Sequence, residues 1–310
     1  IIQKNIKQAN NFTINSIMTK NKIKICFSMI VFEGNYVLKQ VLESIYPYAN
    51  QILISEGPVT YFQQKGFTTS TDGTNEILNN FPDPDNKITI IHSQYKEKDD
   101  QCKSHMKFLK EDNNYIWNLD SDEIFKQVDI EKLMDILEKE KYTSIGFKSY
   151  SFYGGFDRYI TGFEENAEFL RIHKIYPGSK WKSHRPPDVI HLPEYEKLPK
   201  KHLDFNVLSE KYKIRMYHYS YVFPEQVKKK IDYYSNAVSS CISNYYNEVY
   251  LPWINSKIDE VENKYNGVHE WLPNLRGDSY TKEFTGEHPL IIQRDMEQLK
   301  KKFNNQLLKH

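Results

Sequence analysis

Between residues 23 and 119 the chain carries four β-favouring apolar runs: IKICFSMIV (23–31), QILISE (51–56), KITIIHS (87–93) and YIWNL (115–119). Segments of helical character separate them, and nothing else in the sequence restricts the fold as strongly. The first run is almost continuously apolar, the pattern of a strand covered on both faces. After Glu33-Gly34-Asn35, residues Val37, Leu38, Val41, Leu42 and Ile45 recur at helical spacing until Pro47 stops them. Asp72 or Thr74 is expected to cap a short helix through Ile77, Leu78 and Phe81, and Asp99 and Asp100 precede another through Met106, Phe108 and Leu109. Strand and helix alternating in this way predict a parallel sheet with right-handed crossovers. Ligands of such sheets gather beyond the carboxyl ends of the strands, where Ser28 to Asn35, Glu56 and the acids of Asp120 to Glu123 stand.

Beyond residue 143 the texture changes. An amphipathic helix through Ile130, Leu133, Met134, Ile136 and Leu137 gives way to SIGFKSYSFY, EFLRIHKIY and IRMYHYSYV, which alternate as strands of a mixed or antiparallel part do. A basic, Pro-rich stretch, KWKSHRPPDVIHLP, is expected to be a loop. Val227, Ile231, Tyr234, Val238, Cys241 and Tyr245 trace a long helix, and Pro289 opens a last one through Leu299. The simplest partition is a polar leader over 1–22, one α/β domain over 23–225, and a helical extension over 226–310 packed on the same domain.

The balance of 42 Lys+Arg against 41 Asp+Glu leaves a net charge of +1, so no global field draws the chain to nucleic acid or to an anionic membrane. Lys228 to Lys230 and Lys300 to Lys302 lie on amphipathic helices and read as solvated faces. Cys26, Cys102 and Cys241 are odd in number and far apart, which fits a reducing, cytoplasmic setting better than a disulfide framework or a zinc site. The longest apolar stretch is too short to span a bilayer. Ile rather than Met stands first, leaving room for an upstream segment.

YIWNLDSDEIF (115–125) ends an apolar run on three acids within four positions, a cluster that repels itself unless something neutralises it. A solvated turn capping the next helix is one reading. An EF-hand is another, with Asp120, Asp122 and Glu131 at positions 1, 3 and 12, but Phe125 stands where the sharp turn requires Gly. A third reading has carboxylates at i and i+2 converge on Mg²⁺ or Mn²⁺, whose remaining sites a diphosphate fills.

Asp120-Ser121-Asp122 after an apolar strand resembles the Asp-x-Asp motif of the family 2-like nucleotide-diphospho-sugar glycosyltransferases of GT-A fold. ICFSMIVFEGNYVLKQVLESIYPYANQILISEG is similar to their first strand, helix and second strand, and STDGT and FTGEHP (284–289) have counterparts among them. The resemblance is good over about 23–125, partial to about 220, and thin beyond. It implies a GT-A (Rossmann-like) fold: a central, mostly parallel sheet flanked by helices, with a mixed β and helical C-terminal elaboration.

The resemblance also implies metal-dependent, inverting transfer from a nucleotide-diphosphate sugar, a UDP-sugar being favoured, to a glycan, protein or small-molecule acceptor. A non-catalytic sugar- or nucleotide-binding module on the same scaffold is the alternative. Ser28 to Glu33 would border the nucleotide. Glu56, where many relatives carry Asp, would take the base or ribose, while Asp100, Gln101 and Lys103 would lie near the diphosphate. Asp122 is the first candidate metal ligand, with Asp120 on ribose or metal. His218 is a third ligand, although its strand face also suits a core histidine, and His288 is its rival. Asp188 is the candidate general base, with Glu164 and Glu165 also available. Trp181, Tyr153 and Phe156 could carry sugar rings or fill the core.

Overall fold

Strand β1 (Ile25–Val31) occupies the middle of a seven-stranded sheet, and its residues show why. Ile25, Phe27, Met29 and Val31 enter one core while Cys26 and Ser28, equally buried, face the opposite side, as the period of two in a strand dictates. The structure, a computed structural model, describes residues 23–238, 241–242, 244–255, 267–269 and 279–309. The polar leader over 1–22 lies outside the described residues.

β1 is followed by α1 (Leu38–Ile45), β2 (Gln51–Glu56), α2 (Thr74–Asn80), β3 (Ile88–His92), α3 (Lys98–Met106) and β4 (Tyr115–Asn118). β1 pairs in parallel with β2 on one side (Val31 opposite Glu56) and with β4 on the other (Ser28 opposite Asn118), and β2 pairs in parallel with β3. The strand order therefore reverses direction at β1. In an open α/β sheet the crevice beside such a reversal, at the carboxyl ends, is the ligand site.

The acidic turn leads into β5 (Glu123–Ile124), α4 (Gln127–Glu140), β6 (Ser144–Phe147), β7 (Ser149–Tyr153), β8 (Arg158–Ile160) and β9 (Phe169–Lys174). β9 inserts antiparallel between β4 and β6, and β12 (His202–Leu203), followed by α5 (Phe205–Lys211), completes the large sheet. A five-stranded sheet, ordered β14-β8-β7-β13-β5, stands beside it, with β13 spanning Met216–Tyr221 and β14 spanning Thr281–Glu283. One core runs from Phe27 stacked on Trp117 (centroids 5.1 Å apart) through Phe147 and Phe125 to Tyr217 and Tyr219. Each such buried aromatic contributes on the order of 2–3 kcal/mol. On the opposite face Cys102, Ile116, Ile175, Trp181 and Val189 form a smaller core under α3.

The structure corrects several sequence expectations. KWKSHRPPDVIHLP is a hairpin, β10 (Lys180–His184) paired antiparallel with β11 (Pro187–Ile190), because Trp181 and Val189 alternate into the core under α3. α3 begins earlier than the apolar spacing suggests and ends before Phe108 and Leu109; Asp99 and Asp100 sit in its first turn, where the helix dipole favours acids. Gly73, in the left-handed region at φ 94°, is the residue preceding α2, while Asp72 Oδ1 still accepts the Thr74 N–H at 3.1 Å. The helix through Val227, α6 (Pro224–Asn236), ends before Val238, Cys241 and Tyr245. At that end Ser235 Oγ and Asn236 Nδ2 donate to the carbonyls of Ile231 and Asp232. The last helix, α7 (Leu290–Leu307), extends beyond Leu299 and packs on α1 and α6, with Ile292 and Leu299 in the main core.

Candidate active site

Asp120 to Glu123 turn sharply at the carboxyl end of β4, where the Leu119 N–H donates to Ser28 O (2.9 Å) and the Glu123 N–H to Asp120 O (3.1 Å). The turn does not cap α4, whose preceding residue is Lys126. It runs instead into β5, which pairs with β13 so that Glu123 stands opposite His218 and the Tyr219 N–H donates to Asp122 O (2.9 Å). Every carboxylate of the cluster then has a partner. Arg171, near the middle of β9, forks onto fully buried Glu123 at 2.8 and 2.5 Å and reaches Asp120 at 3.4 Å. Asp122 accepts from Gln226 Nε2 at 2.7 Å, and its other oxygen lies 3.5 Å from His218 Nε2.

Those contacts set the protonation states. Burial works against charge on Asp120, yet Arg171, with His184, Arg185 and His218, outweighs it and holds the carboxyl well below the usual range. Burial likewise disfavours a charged His218, but Asp122 raises it above its ordinary value. Arg171 stays charged although buried, because Glu123 and Asp120 surround it.

The turn forms one wall of a 230 Å³ cavity at the reversal of strand order. The end of β1, Ile30 to Gly34, forms another, and a Cβ on Gly34 would lie 2.6 Å from Val31 Cγ2 and 2.9 Å from Ser121 Oγ, so a larger residue there would have to displace one of them. Phe32 packs on Phe62 (4.8 Å), giving the cavity an apolar end. Lys98, Arg185, Lys229 and Lys230 also line it, with Tyr233 and Tyr234 of α6. Lys229 pairs with Glu33. A second cavity, of 290 Å³, shares Asp120, His184, Arg185, His218, Lys230 and Tyr234 with the first and extends to Glu164, Glu168, Phe169 and Arg171.

Of the residues singled out from the sequence, Glu33, Gln101, Asp120, Asp122 and His218 come together at the first cavity. Ser28 is fully buried in mid-sheet against Asn118 (3.4 Å), away from it. Glu56 is spent on Ser70 N, Thr69 Oγ1 and His92 Nδ1, holding the loop after β2, and does not line it. Asp100 and Lys103 sit on α3 outside the lining. Asp188 pairs with Lys182 at 2.7 Å on the hairpin and lines neither cavity. Glu164 accepts from Ser151 and pairs with His269 at 3.2 Å; Glu165 pairs with Arg215. Both ring nitrogens of His288 are taken, by Tyr219 OH and Phe156 O. Trp181, Tyr153 and Phe156 are core residues.

Sequence reasoning missed Arg171, Lys98, Arg185 and Gln226. An arginine inside the apolar run EFLRIHKIY was a readable signal of a buried charge partner; the others meet only through tertiary packing. For a hard divalent cation, two carboxylates on one cavity wall match what Mg²⁺ or Mn²⁺ takes from protein when phosphate oxygens complete its shell. No group of three His, Cys, Asp or Glu side chains suited to a metal is present among the described residues, and His218 Nε2 lies 3.5 Å from Asp122 Oδ1.

Residues 68–191 match the family model described as Glycosyl transferase family 2, a span that holds the acidic turn and the hairpin but neither β1 nor β2. No curated protein matches the chain. Among solved structures, S. aureus TarS 1–349 aligns at 11% identity over 49% of this chain and 47% of that one, with a TM-score of 0.34. The same protein in complex with UDP-GlcNAc aligns at 11% identity over 43% and 36%, with a TM-score of 0.33. The chain thus covers about half the length of TarS 1–349.

Proposed function

We propose that this chain, a family 2-like glycosyltransferase of GT-A fold, moves a sugar from a nucleotide-diphosphate donor, a UDP-sugar in the first instance, to an acceptor hydroxyl with inversion. The observation that carries the reading is the pair of cavities meeting along a wall that contains Asp120. Transfer needs two substrates converging on one carbon, and each cavity would hold one of them.

In this reading the nucleoside lies along Ile30 to Gly34 with Phe32 and Phe62 as its apolar face, and Asp120 and Asp122 mark the diphosphate end. Asp122, with Asp120 beside it, would hold Mn²⁺ or Mg²⁺. Such a cation supplies positive charge to the diphosphate as it departs. Gln226 and His218 orient Asp122 for that task, and Arg171 keeps Asp120 ionised. The acceptor, a glycan, protein or small molecule, enters from the second cavity. Inversion requires a base within reach of the acceptor hydroxyl. Glu164 and Glu168 both line that cavity. Burial pushes Glu164 up, but the hydrogen bond to His269 together with the charges of His269, His218 and Lys230 outweighs it and lowers the carboxyl to about 2, a poor proton acceptor. Glu168 commits one oxygen to His202 (2.7 Å) and keeps the other, which favours it over Glu164 and over Asp188.

The test is calorimetric titration of UDP and GDP, with and without Mn²⁺, on the wild type and Asp122→Ala. The reading expects one nucleotide to bind and Mn²⁺ to tighten it only when Asp122 is present. Absence of binding by both nucleotides under all four conditions would refute it.

A further inference from the structure

The acids of the first cavity are matched by partners: Glu33 by Lys229, Asp120 by Arg171, and Asp122 by His218 and Gln226. Two of its cations are not. Among the described residues neither Lys98 nor Arg185 makes an ion pair; both rest on aromatic rings. Lys98 Nζ lies 4.8 Å from the centre of Tyr233 and 5.4 Å from that of Tyr234, and the Arg185 guanidinium lies 5.2 Å from Tyr234.

This placement is built into the fold. Asp99 Oδ1 accepts the His184 N–H at 2.7 Å, fastening the tip of the hairpin to the first turn of α3. The residue before Asp99 and the residue after His184 are thereby brought to the same ring of α6. Two cations held near each other repel, and Asp120, whose charge acts on both, makes its ion pair with Arg171. Burial, then the charge of Arg185, lowers Lys98 to about 8. An anion entering the cavity would relieve the repulsion and the incomplete solvation of half-buried Lys98.

We propose that Lys98 and Arg185 form a protein-built clamp for the diphosphate of the nucleotide, gripping it whether or not a divalent cation is bound. The inference rests on the donor-site reading above and adds to it. The clamp binds the diphosphate in the ground state, and the charge it supplies is already in place when the sugar–phosphate bond breaks. Arg185 offers a planar fork suited to phosphate oxygens and Lys98 a point charge. The rings of Tyr233 and Tyr234 hold both side chains in place before the ligand arrives.

The experiment is titration calorimetry in EDTA with UDP and UMP, or with GDP and GMP if guanine is the base preferred. It is run on the wild type, Lys98→Met, Arg185→Gln and Arg185→Lys, with thermal melts to confirm that each variant folds. The wild type is expected to bind the diphosphate at least about tenfold more tightly than the monophosphate, the effect of one or two charge-assisted contacts. Lys98→Met and Arg185→Gln should each lose about tenfold for the diphosphate and little for the monophosphate, and Arg185→Lys should retain part of the preference. Binding that vanishes in EDTA but returns with Mn²⁺, or variants that bind the diphosphate as the wild type does, would overturn the clamp and leave the donor-site reading standing. No binding of UDP or GDP even with Mn²⁺ would remove both.

Discussion

The acidic turn and the basic rim face each other across one cavity, yet they are built on opposite terms. The turn's carboxylates are all satisfied by protein: Glu123 and Asp120 by Arg171, Asp122 by Gln226 and His218. Among the described residues Lys98 and Arg185, on the rim, make no ion pair and lie against the rings of Tyr233 and Tyr234. The difference separates what the fold needs from what a ligand supplies. A charge with a buried partner is part of the scaffold even when it also serves chemistry, whereas a charge presented without one is a statement about what enters.

The contrast can be broken most forcefully from the paired side. Arg171→Met would leave Glu123 and Asp120 buried without a counter-charge and should cost about 3–5 kcal/mol, read as a fall in the urea midpoint. Asp122→Ala leaves Gln226 and His218 without their shared partner and should lower the midpoint by about 1–2 kcal/mol, while lowering Mn²⁺-stimulated transfer by about 100-fold or more. Glu168→Gln should reduce kcat by about 100-fold with little change in donor affinity, as loss of a general base does. The rim gives a pH signature. Because Lys98 is lowered to about 8, it carries its proton below that pH, and above it binding must be accompanied by proton uptake. Diphosphate affinity should therefore fall by up to about tenfold per pH unit above pH 8, and Lys98→Met should flatten that slope. The smallest effect is expected at Asp188→Asn, within about 0.5 kcal/mol in stability and twofold in rate, since an exposed pair with Lys182 on the hairpin contributes little.

The order in which sequence features were legible follows from how local each one is. Strands β1 to β4 and helix α1 write their burial into short-range periodicity, whereas the order in which the strands pair, and with it the reversal at β1 that locates the cavity, is set by tertiary packing. The acidic turn was legible because an apolar strand ending on three acids needs an explanation. The hairpin β10–β11 was hidden because its apolar signal is only Trp181 and Val189 within a basic, Pro-rich stretch. Glu56 looked like a ligand residue from its place at a strand end, but its role depends on Thr69, Ser70 and His92, which the sequence gives no reason to bring there. Lys98 and Arg185 are 87 positions apart and meet only because Asp99 anchors the hairpin and α6 brings Tyr234 to both.

The most direct measurement is a crystal structure of the protein soaked with UDP and Mn²⁺, with anomalous scattering recorded at the manganese edge. The account predicts the diphosphate between Lys98 and Arg185 on one side and the acidic turn on the other, with manganese density against Asp122. Nucleotide density at any other place, or a diphosphate in the cavity that touches neither Lys98 nor Arg185, would contradict it.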